Sequence, residues 1–143
     1  MKATRIEHRF VDAIPETLED EVLYVSIEFT TAVHKCLCGC GQEVVTPISP
    51  TDWKLTFDGE TVSLDPSVGN WSFDCQSHYW IRRDTVRWAG QMSEEQIAKV
   101  REKDVRSKAA YFDASCQKVT HSAPAHRPGI FGRLARWIGL RRS

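Results

Sequence analysis

The sequence predicts a mainly β chain with C-terminal helices, an α+β arrangement in which a small antiparallel β domain comes first. Three observations predict it. Short β-branched and aromatic runs recur at close spacing across residues 22–89, turn signals separate them, and helix punctuation replaces them from Ser93 onward.

Taken in order, residues 1–21 read as an acidic lead-in, with Glu16, Glu19, Asp20 and Glu21 following Pro15. Val22, Leu23, Tyr24, Val25, Ile27 and Phe29 then read as one strand running towards Cys36. Gly39 and Gly41 permit a tight turn, and a short strand is expected at 43–46, stopped by Pro47 and Pro50. Trp53, Leu55 and Phe57 alternate with polar residues up to an Asp58-Gly59 turn, after which Val62 and Leu64 resume the pattern as a hairpin. Residues 66–70 read as a loop. A second hairpin is expected from Tyr79 to Trp88, turning at Arg83-Asp84. Ser93-Glu94-Glu95-Gln96 is a capping box, which starts a helix over 93–112 with a weak apolar stripe of Ile97, Val100, Val105 and Phe112. Residues 113–129, with Pro124 and Pro128, read as a linker. Residues 130–143 read as a basic amphipathic tail helix, with Ile130, Phe131, Leu134, Trp137 and Ile138 on one face and four arginines beside them.

Composition narrows the function classes. The 143 residues have a formal net charge of zero, but residues 1–78 carry 13 acids against 5 Lys/Arg and residues 79–143 carry 6 against 14. The basic tail therefore suits either the chain's own acidic half, an acidic partner or an anionic membrane surface. Nucleic acid is not expected, because no binding module accompanies the charge. No apolar run approaches the length of a membrane span and the start lacks a secretory core, so a cytoplasmic protein is expected.

Cysteine usage is the sharpest signal. Cys36, Cys38 and Cys40 fall within five residues, and Cys75 precedes His78 in a Cys-x-x-His spacing. Cysteines two apart on an extended chain do not readily bridge to each other, and a reducing compartment favours metal chemistry over disulfides. Soft sulfur with one nitrogen suits Zn²⁺ held by four of these five residues. Such an ion would staple together a domain of marginal size. Cys116 reads as an ordinary thiol.

Polar residues near this constellation suggest acyl-transfer chemistry. Ser77 lies two residues from Cys75 and His34 two from Cys36, so a metal joining those segments brings a serine nucleophile and a histidine base into one neighbourhood. The backbone near Gly69 and Asn70 would supply oxyanion donors. Ser67, following Pro66, reads as a turn residue, with Ser77 ahead of it as nucleophile.

Several motifs now converge. Cys-x-Cys-Gly-Cys-Gly at 36–41, Val-Val-Thr-Pro at 44–47, Trp-x-Leu-Thr-Phe-Asp-Gly at 53–59, Pro-Ser-Val-Gly-Asn-Trp at 66–71 and Cys-x-Ser-His-Tyr-Trp-Ile at 75–81 resemble a small bacterial family encoded beside ubiquitin-like proteins and their activating and conjugating enzymes. The resemblance spans about residues 22–89. It implies a zinc-binding accessory protein of such a pathway, linked to phage defence, and a serine peptidase that processes or removes the ubiquitin-like protein. Carried over, the metal residues are Cys36, Cys38, Cys40, Cys75 and His78, and the leading catalytic residues are Ser77 and His34. The alternative is a non-catalytic, zinc-dependent module that docks on the pathway's proteins or on a membrane.

Overall fold

Alternation along the strands decides which side chains go inside. In β4 (Glu43–Pro47) Val44 and Thr46 are buried while Glu43 and Val45 are exposed, the period-two pattern of a sheet with one covered face. The computed structural model describes residues 1–121 of the chain. Within them, β1 (Glu7–Phe10), β2 (Val22–Ser26), β3 (Thr31–Lys35) and β4 make one sheet in that order. A second sheet orders β5 (Lys54–Phe57), β6 (Val62–Gly69), β7 (His78–Arg82) and β8 (Thr85–Trp88), and α1 (Glu94–His121) follows. The mainly β architecture with a C-terminal helix is as expected.

The two sheets share a core. Leu23, Val25, Ala32 and Val44 from the first meet Val62, Leu64, Val68, Tyr79, Ile81 and Val86 from the second. Removing that apolar area from water is the main favourable term, at about 25 cal/mol per Å². Every residue of β2 is buried, because the opposite face of its sheet is covered too: Val22, Tyr24 and Val33 pack with Leu18, Val11 and Ile14.

Those last three residues belong to the stretch read as an acidic lead-in, which is built into the domain. Ala3 and Ile6 enter the main core, Ile6 N–H donates to the Asp84 carbonyl and Val86 N–H to that of Thr4, both at 2.9 Å. β1 pairs parallel with β2, whereas the other pairings between these strands are antiparallel.

The strand expected through Phe29 ends earlier. The chain reverses between β2 and β3, Thr30 adopts φ 46°, and Ile27 and Phe29 are exposed. Both expected hairpins form, with Gly59 at φ 97° in one turn and Arg83 and Asp84 at φ 48° and 55° in the other. The capping box also forms: Ser93 N–H donates to Gln96 Oε1 at 2.9 Å, and Gln96 N–H to Ser93 Oγ at 3.3 Å. α1 continues past residue 112 to His121, into the stretch read as a linker. The rest of that linker and the basic tail helix at 130–143 lie outside the described residues. No described helix is long and apolar enough to cross a membrane.

Candidate functional site

The chain leaves β3 into a turn whose tightness depends on glycine. Gly39 and Gly41 sit at φ 85° and 80°, where a Cβ is disfavoured. Gly39 N–H closes the turn onto the Cys36 carbonyl at 3.0 Å. A second turn follows β6, in which Phe73 N–H donates to the Asn70 carbonyl and Gln76 N–H to that of Phe73; it presents Cys75 to the first. The Sγ atoms of Cys36, Cys38, Cys40 and Cys75 all lie within 4.8 Å of one another. Sγ separations are 3.4 Å for Cys36–Cys38, 3.9 Å for Cys36–Cys75 and 3.7 Å for Cys40–Cys75.

That donor set fits a metal ion. Four sulfurs bound at about 2.3 Å in a tetrahedron lie about 3.8 Å apart, close to the spacings found. Burial raises the pKa of Cys36 and pushes that of Cys38 up to about 12. For Cys75 burial acts the same way, but hydrogen bonds from Ser77 and the neighbouring thiols outweigh it and bring the value down to about 7. A divalent cation would offset the cost of gathering four thiolates.

Beneath the cluster runs a buried polar chain. Ser77 Oγ lies 3.0 Å from Cys36 Sγ and accepts from Asn70 Nδ2 at 2.8 Å. Asn70 Nδ2 also reaches Tyr79 Oη at 3.4 Å, and Tyr79 Oη is 2.8 Å from His34 Nε2. Ser77 and His34 are thus in one network, but each has a different partner, and Ser77 is only 6% exposed.

His34 is fully buried, its Nδ1 has no hydrogen-bond partner among the described residues, and burial pushes its pKa down to about 3. The imidazole therefore stays neutral in the fold, while the unfolded chain takes a proton near the ordinary value of 6.5. Between those values the unfolded state binds more protons, so stability falls as pH falls, by up to about 1.4 kcal/mol per pH unit. Urea midpoints measured from neutral to acid pH should show this slope, and His34→Gln should flatten it; an equal slope in the variant would place the acid sensitivity elsewhere.

His78 lies outside the cysteine cluster. Its Nε2 is 2.9 Å from Ser67 Oγ, and the strand pairing explains the contact. Leu64 pairs with Ile81 and Val68 with Tyr79, so Asp65, Pro66 and Ser67 all face the single residue Trp80. This bulge swings Ser67 towards the end of β7, where Gly69 pairs with His78. The imidazole is held between Trp71 and Trp80, with ring centroids 4.9 and 5.3 Å away. Trp71 in turn packs on Gly69 so closely that a Cβ there would fall 2.5 Å from the indole. Burial lowers the pKa of His78, a contact with the Gly90 backbone pushing the other way, and among the described residues Nδ1 is buried without a well-aligned hydrogen-bond partner.

Ser67 opens onto a cleft of about 230 Å³ lined by Trp53, Pro66, Gly69 and Trp71, with α1 as its far wall. Residues 66–69, expected as a loop with Ser67 in a turn, instead extend β6 through its bulge. A Pro-Ser-x-Gly segment ending one strand and a histidine opening the next are the signal that could have suggested the pair, but the bulge that makes the contact leaves no mark in the residue pattern.

A family model described as bacterial ubiquitination-like system serine protease (BubE) matches residues 10–89. That span holds both the cysteine cluster and the Ser67–His78 pair, and it ends before α1. No curated protein and no solved structure matches the chain.

Proposed function

The chain belongs to the BubE family, and from that premise we propose that it is a serine peptidase in which Ser67 is the nucleophile and His78 the general base. The observation that carries this reading is the 2.9 Å contact between Ser67 Oγ and His78 Nε2 at the mouth of a cleft. Ser77 is the weaker choice because its hydroxyl is buried and committed to Cys36 and Asn70. His34 bonds Tyr79. In this reading Ser77 and His34 support the site from beneath.

The chemistry follows from the pair. With the proton on Nδ1, Nε2 accepts the Ser67 hydroxyl proton as Oγ attacks the scissile carbonyl; the imidazolium then returns that proton to the leaving amine. Water, deprotonated by the same nitrogen, releases the acyl group. Among the described residues no carboxylate reaches Nδ1; Trp71 and Trp80 flank the ring and the Gly90 backbone lies beside it. Cys36, Cys38, Cys40 and Cys75 would hold zinc in a closed, sulfur-only site whose contribution is structural, fixing the turn that carries Asn70 and Ser77 against β3.

The substrate we infer is the ubiquitin-like protein of the same pathway, cleaved at its C-terminal tail or at an isopeptide bond, in a bacterial cytoplasm and in the service of antiviral defence. Its conjugating enzymes are the other partners. Incubating the full chain with that ubiquitin-like protein bearing a C-terminal extension, and reading intact mass, tests this. Loss of the extension supports a peptidase, and binding without a change in mass supports a docking module instead. The pH profile is a further check. Because burial disfavours the imidazolium, kcat/KM should rise with pH through an inflection below 6.5 and be flat at neutrality; an inflection above 7 would contradict His78 as the base.

A further inference from the structure

α1 covers the Ser67 cleft, yet little holds it there. Of its apolar residues Ile97 is buried, while Val100, Val105, Tyr111 and Phe112 are exposed. A helix docked by a continuous apolar face would bury such residues. The cleft-facing contributions are Val100, Arg101, Asp104 and Lys108, mostly charged. The tie between the middle of α1 and the β domain is an ion pair, Lys108 Nζ to Asp52 Oδ1 at 2.7 Å. Asp52 is well placed to receive it: Ser49 Oγ donates to its other oxygen at 2.7 Å and holds the carboxylate in place. Lys108 also bonds Asp104 at 3.2 Å along the helix, which aims the ammonium across the cleft.

The enclosed volume is small. At about 230 Å³ it falls below the roughly 300–1,000 Å³ common for small-molecule sites, and two of its walls are indoles. In this position Val100, Arg101, Asp104 and Lys108 of α1 share the cleft with Ser67 and narrow the approach to it. A partly exposed ion pair is a weak, salt-sensitive tie, suited to a wall that moves.

We propose that α1 is a gate on the Ser67 cleft, latched by the Lys108–Asp52 ion pair, and that Lys108 thereby determines the width of chain admitted to Ser67. The consequence for hydrolysis rests on the peptidase reading above, but the gate itself does not. α1 and its Lys108 lie outside the residues matched by the family model, while Asp52 and Ser67 lie within them.

The test measures access, not turnover. Ser67→Cys is made in the full chain, and alkylation of the introduced thiol by a small and by a bulky reagent is followed by peptide mass, which separates it from the native cysteines. The same measurement is repeated with Lys108→Glu, Lys108→Arg and Lys103→Glu. Lys108→Glu turns attraction to Asp52 into repulsion and should speed the bulky reagent about fivefold while leaving the small one unchanged. Lys108→Arg keeps the pair and Lys103→Glu reverses a charge elsewhere on α1, so both should match the parent. In the parent alone, about 1 M salt, where the screening length is about 3 Å, should reproduce the Lys108→Glu effect. Equal bulky-reagent rates in all backgrounds and at both salt levels would overturn the gate. Absence of hydrolysis with these access differences intact would instead remove the peptidase reading and leave the gate standing.

Discussion

Ser67→Ala is expected to abolish hydrolysis, by at least about 10³-fold in kcat, while leaving fold and metal content unchanged. The side chain is half-buried on a bulge, its one hydrogen bond is to His78, and removing it opens no hole in the core. Ser77→Ala should behave in the opposite way. Its hydroxyl lies in the buried network between Cys36 and Asn70, so its loss leaves Asn70 Nδ2 without its shortest partner, at a cost of about 1–3 kcal/mol, with chemistry reduced only as far as the fold is loosened. Parallel assay and thermal melting of the two variants separate the roles. Full activity in Ser67→Ala would remove Ser67 from the mechanism.

The second large effect is on the metal. Purified chain should contain one zinc ion, and Cys36→Ser or a strong chelator should unfold the β domain or lower its melting temperature by tens of degrees. The reasoning is one of scale. Structural zinc in small sulfur-rich sites contributes about 10–16 kcal/mol of apparent binding free energy, comparable with or larger than the about 5–15 kcal/mol by which a domain is stable at all. His78→Ala should retain the ion at full stoichiometry, because the imidazole faces Ser67 and the four sulfurs complete the tetrahedron by themselves. Metal analysis with melting measures both, and a metal-free protein that melts at the same temperature would remove the staple.

The legible parts of this molecule are those whose signal is local. Asp58-Gly59 and Arg83-Asp84 mark the two hairpin turns, in which Gly59, Arg83 and Asp84 adopt positive φ. The cysteine spacing points to a cluster able to hold a metal ion, and the four sulfurs lie together. Ser93 and Gln96 capped the helix as their spacing demands. What was hidden depends on distant partners. β1 is short, polar and paired parallel to a strand fifteen residues on, so nothing in Glu-His-Arg-Phe announces a strand. Ile27 and Phe29 look like core and lie exposed in a turn, because hydrophobicity does not say where a chain reverses. Ser67 meets His78 only through the extra residues that β6 carries opposite Trp80, a register shift invisible to periodicity. His78, three residues after a cysteine, has the spacing of a ligand but faces Ser67 instead of the four sulfurs.

These differences bear on function because they move the proposed chemistry from the serine beside the metal to the serine across the hairpin. In that proposal the cysteine turn and the Ser67–His78 pair sit on two sides of one strand end: the turn lies against Asn70 and Ser77, and Gly69, Trp71 and His78 surround Ser67 at the cleft.

The most direct test of that arrangement is covalent. A small fluorophosphonate, which reacts only with an activated serine, is incubated with the full chain and the adduct is located by peptide mass. The account predicts one adduct, on Ser67, lost in His78→Ala while zinc is retained. An adduct on Ser77, or one on Ser67 that forms equally well without His78, would contradict it.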